Sequence, residues 1–114
     1  MANSNSDLLK GTLDLLIMKI LSTSKLHGWD ISKRIDLVSN NQILVKQGSL
    51  YPALHRLESR ALIEAEWGVS EAGRSAKFYK LTKLGKLTLS EEVNQWDKFV
   101  EAVTAILNLE EQQA

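Results

Sequence analysis

The stretch Gln47-Gly-Ser-Leu-Tyr-Pro-Ala-Leu-His-Arg-Leu-Glu58 carries two unlike faces at helical spacing. Leu50, Leu54, Leu57 and Ala61 recur at i, i+4, i+7 and i+11, one apolar stripe for packing on a core. Ser49, Pro52, His55, Arg56 and Ser59 fall on the other side and are small or rich in hydrogen-bonding atoms. The spacing predicts a helix from Ser49 to about Arg60. Ser49 serves as its N-cap and Pro52 lies in the first turn, where amides have no intrahelical partner. A short helix that offers Ser49, Tyr51, His55 and Arg56 from its N-terminal half has the chemistry of a major-groove reader. Amphipathic surface helices are common, so the flanking sequence decides between a DNA reader and an ordinary packed helix.

Upstream, residues 1 to 6 are small and polar and are expected to be disordered. Asp7 then precedes a helical pattern to about Ser22, with Leu9, Leu13, Leu16, Ile17, Ile20 and Leu21 on one face. Ser22 to Lys25 connects it to a second helix, Gly28 to Val38, with Ile31, Ile35 and Val38 inward and Lys33, Arg34 and Asp36 outward. His27 reads as the turn that starts this helix. Ser39-Asn-Asn41 ends it, because Asn tolerates left-handed backbone. Ile43-Leu-Val45 is a brief β-prone stretch.

Downstream of the quoted helix the period changes to two. Ile63, Ala65 and Trp67 alternate with Glu64 and Glu66, Gly68 to Ser75 form a polar loop, and Ala76 to Thr82 form a returning strand. Thr82 then caps a final helix to about Leu109. The order of helix, helix, short strand, helix, hairpin, helix predicts a mainly α winged helix-turn-helix with a small β-hairpin. Residues 7–82 form its DNA-binding domain and residues 83–110 a C-terminal dimerisation helix.

Composition agrees with one small domain. The chain has 114 residues, 44% of them hydrophobic, and no cysteine, which excludes disulfides and thiolate metal sites. No signal-peptide pattern opens it, and Leu15 to Met18 is too short an apolar run for a membrane span, so a soluble cytoplasmic protein is expected. The formal net charge of zero conceals an asymmetry. Through residue 88, 13 Lys and Arg face 8 Asp and Glu, a balance of +5, whereas beyond it Lys98 alone faces 6 acidic residues, a balance of −5. A basic body with an acidic tail suits a phosphate-facing domain joined to an element that faces elsewhere.

Arg74 and Lys77 at the hairpin would meet the sugar-phosphate backbone in such a fold and supply affinity and salt dependence. Against this stands the ordinary solvated hairpin, which Glu71 at the same tip favours. In the final helix Leu89, Val93, Trp96, Val100, Val103 and Leu107 are spaced 4, 3, 4, 3 and 4 apart, a heptad seam widened by Phe99 and Ile106. So wide a stripe is read as a homodimer interface, with part of it packing on the first helix. A two-fold dimer presents two reading helices to successive major grooves of a pseudo-palindromic site. Trp96, in mid-seam, either packs or sandwiches a flat aromatic molecule. His27 and His55 lack partners at metal-ligand or catalytic spacing, and no glycine-rich phosphate loop occurs. No enzyme, metal site or cofactor is expected.

Together these segments resemble the PadR family of transcriptional regulators. The likeness is carried by residues 9–17, 26–35, 47–58, 64–68 and 73–82, in the family's order, with 48–58 and 73–82 the specific ones. It implies a dimeric, DNA-binding repressor of the compact kind with a single C-terminal helix. By position Ser49, Tyr51 and Pro52 match the start of the family's recognition helix, and Arg74 and Lys77 its wing. Lys46-Gln47 stands where many members carry an acidic residue, which bears on the operator contact, and Phe78 replaces a common Tyr. The resemblance also implies that Trp96 corresponds to a position where some compact members bind planar drugs or phenolics. The expected partners are therefore double-stranded DNA, a second copy of the chain and, through Trp96, a planar aromatic effector. Lys46, Ser49, Tyr51, Pro52, His55, Arg56, Arg74 and Lys77 are the expected DNA contacts. The competing reading is a winged-helix protein-interaction module without specific DNA binding.

Overall fold

The structure, a computed structural model, describes residues 12–111. The expectations for residues 1–6 and for Asp7 lie outside that range. The elements run α1 (Leu13–Leu21), β1 (Leu26–His27), α2 (Gly28–Val38), α3 (Gln47–Ser59), β2 (Ile63–Val69), β3 (Ser75–Leu81) and α4 (Lys83–Leu107). The three strands form one antiparallel sheet in the order β1-β3-β2. This is a winged helix-turn-helix.

The core is aliphatic. Ile17 and Met18 of α1, Ile31 of α2, Leu50, Leu54 and Leu57 of α3, and Ile63 of β2 are fully buried and form one cluster. Burying side chains of this size stabilises by roughly 1.5–3 kcal/mol each. The three helices therefore hold one another, and the apolar stripe of α3 decides which of its faces turns outward.

Helix ends account for much of the chain path. His27 caps α2, its Nδ1 accepting from the Asp30 amide at 3.4 Å while Nε2 lies 3.3 Å from an Asp30 carboxylate oxygen. At the other end Asn40 and Asn41 take φ of 55° and 62°, and the Asn41 amide reaches back to the Asp36 carbonyl at 2.8 Å. Thr82 caps α4 by accepting from the Gly85 amide at 2.9 Å.

Several expectations need correction. The quoted helix starts at Gln47, so Lys46 occupies the N-cap without a side-chain bond and Ser49 is the third helical residue. Pro52 sits inside the helix rather than in its first turn, which leaves the Gly48 carbonyl without its i+4 amide donor. Ala61 does not continue the apolar stripe. Its φ is 60°, and its amide bonds the Glu58 carbonyl while that of Leu62 bonds Leu57, a Schellman closure with alanine where glycine is usual. Val38, expected inward, is exposed at the last turn of α2.

Ile43 to Val45 form no strand. The Val45 amide donates instead to Asp36 Oδ1 at 3.1 Å, and the third strand is Leu26–His27, paired with Tyr79 and Phe78. Two edge residues are too short to show a period of two. The hairpin strands run longer than predicted, through Gly68 and Val69 on one side and from Ser75 on the other. Trp67 lies on the same sheet face as buried Ile63 but overhangs the core and is 72% exposed.

Candidate nucleic-acid interface

At 100° per residue, burial of Leu50, Ala53, Leu54 and Leu57 places Gly48, Pro52, His55 and Ser59 on the outermost ridge of α3. All four are exposed. Ser49 and Arg56 flank this ridge on the side of α1. Tyr51 and Glu58 flank it on the side of the hairpin.

The two flanks are tied to the body. On the α1 side Arg56 donates to Asp14, Nη2 to Oδ1 at 2.8 Å. That hydrogen bond, with the nearby carboxylate charge, raises the Arg56 pKa above its ordinary value, so the guanidinium stays charged. On the hairpin side Lys77 Nζ lies 3.5 Å from Glu58 Oε1 and 5.6 Å from the Tyr79 ring centre. Burial pushes the Tyr79 phenol up. The Tyr51 ring rests on Gly28, where a Cβ would come within 2.8 Å of the Tyr51 hydroxyl oxygen, so only glycine at the start of α2 permits this contact.

The expected contact residues therefore divide. Lys46, Ser49, Pro52, His55 and Arg74 are exposed, with no side-chain hydrogen bond or ion pair among the described residues. Arg56 and Lys77 have intramolecular acidic partners, and Tyr51 is half committed to packing. Gln47 also acts inward, its amide donating to the buried Ser32 hydroxyl at 3.4 Å. Gly48, which precedes the expected helix start at Ser49, lies inside α3. A Cβ there would meet nothing, so its smallness serves no internal packing. The available signal was a glycine inside an otherwise well-formed helical pattern, where it costs helix stability.

Arg74 stands beside the tight turn of the hairpin. The Ser70 amide donates to the Arg74 carbonyl at 2.8 Å, the Gly73 amide donates to the Ser70 carbonyl at 2.9 Å, and Gly73 takes φ of 78°. At the end of the five-residue tip the Arg74 side chain has no hydrogen bond or ion pair among the described residues.

The seam of α4 splits as well. Leu89 is 8% exposed and joins the core, and Val93 packs against it. Trp96, Val100 and Val103 are exposed, as is Leu107 at 76%, together with Phe99 and Ile106. Trp96 and Phe99 lie 6.3 Å apart between ring centres. With overall extents of 68 × 34 × 21 Å, the distal half of α4 carries an apolar face beyond the body.

A helix-turn-helix whose second helix, α3, has a free outer ridge, a hairpin beside it and a projecting apolar helix define the winged-helix class of transcriptional regulators. Residues 17–91 match the Transcriptional regulator PadR-like family, and the chain belongs to it. It is 36% identical over 98 residues to an uncharacterized protein of Lysinibacillus sphaericus, covering 86% of this chain and 90% of that one. To the transcriptional regulator Rv3488 of Mycobacterium tuberculosis it is 30% identical over 83 residues, 73% and 74% of the two chains. The crystal structure of a PadR-like transcriptional regulator from Bacillus cereus superposes with a TM-score of 0.79 at 30% identity, over 91% and 99% of the two chains. The Mycobacterium tuberculosis and Bacillus cereus relatives are transcriptional regulators. Among the described residues no cluster of His, Asp or Glu could hold a metal ion, and no helix is long and apolar enough to cross a membrane.

Proposed function

We propose that the protein is a homodimeric, sequence-specific DNA-binding repressor that acts in the cytoplasm on a pseudo-palindromic operator. The observation that carries this reading is the free ridge of α3, Gly48, Pro52, His55 and Ser59, set beside the hairpin that bears Arg74. Lys46, Ser49, Tyr51, Pro52 and His55 meet the major groove, and Arg74 and Lys77 hold phosphates. Arg56 supports the helix from the α1 side and adds positive charge. Residues 7–82 are the DNA-binding domain and residues 83–110 the dimerisation helix. The exposed seam of Trp96, Val100, Val103 and Leu107 supports pairing with a second copy, with Leu89 and Val93 anchoring α4 to its own body. Trp96, half exposed beside Phe99, then faces its symmetry mate and takes a planar aromatic effector between the two indoles.

A fluorescence-anisotropy titration tests the reading, comparing a duplex selected from a random pool with an unselected duplex at several salt concentrations. Tighter binding to the selected duplex is expected, with a log–log salt slope of about −0.9 per phosphate neutralised. Absence of binding to either duplex at low salt would overturn it in favour of a protein-interaction module.

A further inference from the structure

We propose that the groove between the hairpin and the start of α2 seats one strand of the DNA backbone, with the indoles of Trp29 and Trp67 as its walls. This rests on the DNA-binding reading above and adds two contact residues that the reading helix and wing charges do not include.

The register of the hairpin explains how the groove arises. Ile63 faces Leu81, Ala65 faces Tyr79 and Trp67 faces Lys77, so these pairs follow one another along a single sheet face. The first pair is buried in the core, whereas Trp67 extends past it and overhangs open space. Across that space stands Trp29, in the first turn of α2 and 56% exposed. Tyr51 forms the floor, brought against the backbone of Gly28. Trp29, Tyr51, Trp67 and Lys77 line one continuous groove, with Arg74 also in its lining.

Both indoles are exposed and stand outside the core cluster. Trp67 has no core contact to defend, and an exposed wing position is met as well by a polar residue. Two large apolar side chains facing each other across an open groove mark a surface that is covered by a partner. The charges identify which partner. Lys33 Nζ lies 5.4 Å from the Trp29 ring centre, and Arg74, without a side-chain partner among the described residues, shares the groove lining with Trp67, so each wall has a cation near it. The acidic groups in the lining are Asp30, 3.3 Å from His27 Nε2, and Glu71 at the outer tip, set against Arg74 and Lys77 in the same lining and Lys33 beside Trp29. Apolar walls with cationic rims match alternating deoxyribose and phosphate, and the groove adjoins the reading ridge of α3. The indoles pack on sugar faces and carry no sequence information.

Trp29→Ala and Trp67→Ala test this in the full chain. Each is expected to weaken the selected and the unselected duplex equally, by about tenfold, which corresponds to roughly 60 Å² of apolar surface left uncovered. The salt slope is expected to stay unchanged, because no charge is removed, whereas Arg74→Ala should flatten it by about 0.9. Trp67→Phe should restore most of the loss, and unchanged thermal melting of all variants keeps the comparison valid. If wild type binds DNA and both alanine variants bind it equally well, the groove proposal fails while the DNA-binding reading stands. A loss confined to the selected duplex would also overturn it, since that is base reading. No DNA binding by the wild type removes both.

Discussion

Gly85, in the first turn of α4, lies against the carbonyl of Leu62 so closely that no side chain fits between them. Thr82 completes the joint. Its amide donates to the Leu62 carbonyl at 3.0 Å and its hydroxyl to the Ala61 carbonyl at 2.7 Å, while the same oxygen accepts from the Gly85 amide. The turn that ends α3 and the start of α4 are thereby hydrogen-bonded and packed against each other. Gly85→Ala drives a methyl group into a backbone carbonyl that has no rotamer to yield, and Leu81 blocks the other side. A loss of about 3 kcal/mol is expected, read as a lower urea midpoint at unchanged slope. A midpoint equal to that of the wild type would show that α4 moves freely on α3.

Arg56, which the sequence offers as a base reader, has an acidic partner in the packed structure. Its guanidinium is engaged by Asp14 through Nη2 and Nε, which turns it toward the α1 side of the helix. Arg56→Ala is therefore expected to weaken selected and unselected duplexes alike. The Arg56–Asp14 coupling in a double-mutant cycle of stability should be small, about 0.5 kcal/mol, because the pair is largely solvated. An anisotropy titration in which Arg56→Ala costs the selected duplex roughly 1–3 kcal/mol more than the unselected one would restore it as a base reader.

What was legible in the sequence had local causes. The apolar stripe of α3, the Asn pair after α2, His27 at a helix start and Thr82 as a cap all act within a few residues of themselves, and each stands where periodicity and capping chemistry put it. What escaped depended on distant partners. The two residues of β1 become a strand only because β3 passes beside them. Trp67 keeps the alternation of a buried strand residue yet overhangs the core, because alternation reports the face and not where the core ends. The N-cap of α3 shifted by three residues, from Ser49 to Lys46, for a similar reason. Ser49 is a good cap in isolation, but Val45 is buried and tied to Asp36, so the chain is already turned into the helix at Lys46. Of the candidate site, residue types and faces were readable, whereas the ion pairs on Arg56 and Lys77 were not.

Gly48 gives a prediction in which stability and binding part ways. Its Cβ position is open, so Gly48→Ala should stabilise α3 by roughly 0.5–1 kcal/mol through reduced backbone entropy in the unfolded chain. On the outer ridge the same methyl group obstructs the approach of the helix to DNA. A higher melting temperature together with weaker binding to both duplexes is expected from one substitution. Stronger or unchanged binding would mean that α3 is held away from the groove at its N-terminus.

The projecting half of α4 decides whether one reading helix or two act on a site. Val100 and Val103 lie beyond the last residues of α4 that pack on the body, Leu89 and Val93, so charging them leaves the domain's own core intact. In a two-fold interface each substitution appears twice and faces its own copy, which adds like-charge repulsion to desolvation of the carboxylates. Val100→Glu with Val103→Glu is therefore expected to weaken dimerisation by about a hundredfold or more, about 2.7 kcal/mol, in sedimentation equilibrium. Melting of the isolated domain should change little, and affinity for a two-half-site duplex should fall toward that for a single half-site. If the double variant remains dimeric, the interface lies elsewhere on the chain and the apolar face of α4 serves a different partner. If it becomes monomeric yet binds the two-half-site duplex undiminished, the two reading helices act independently, and the spacing of half-sites places no constraint on the operator.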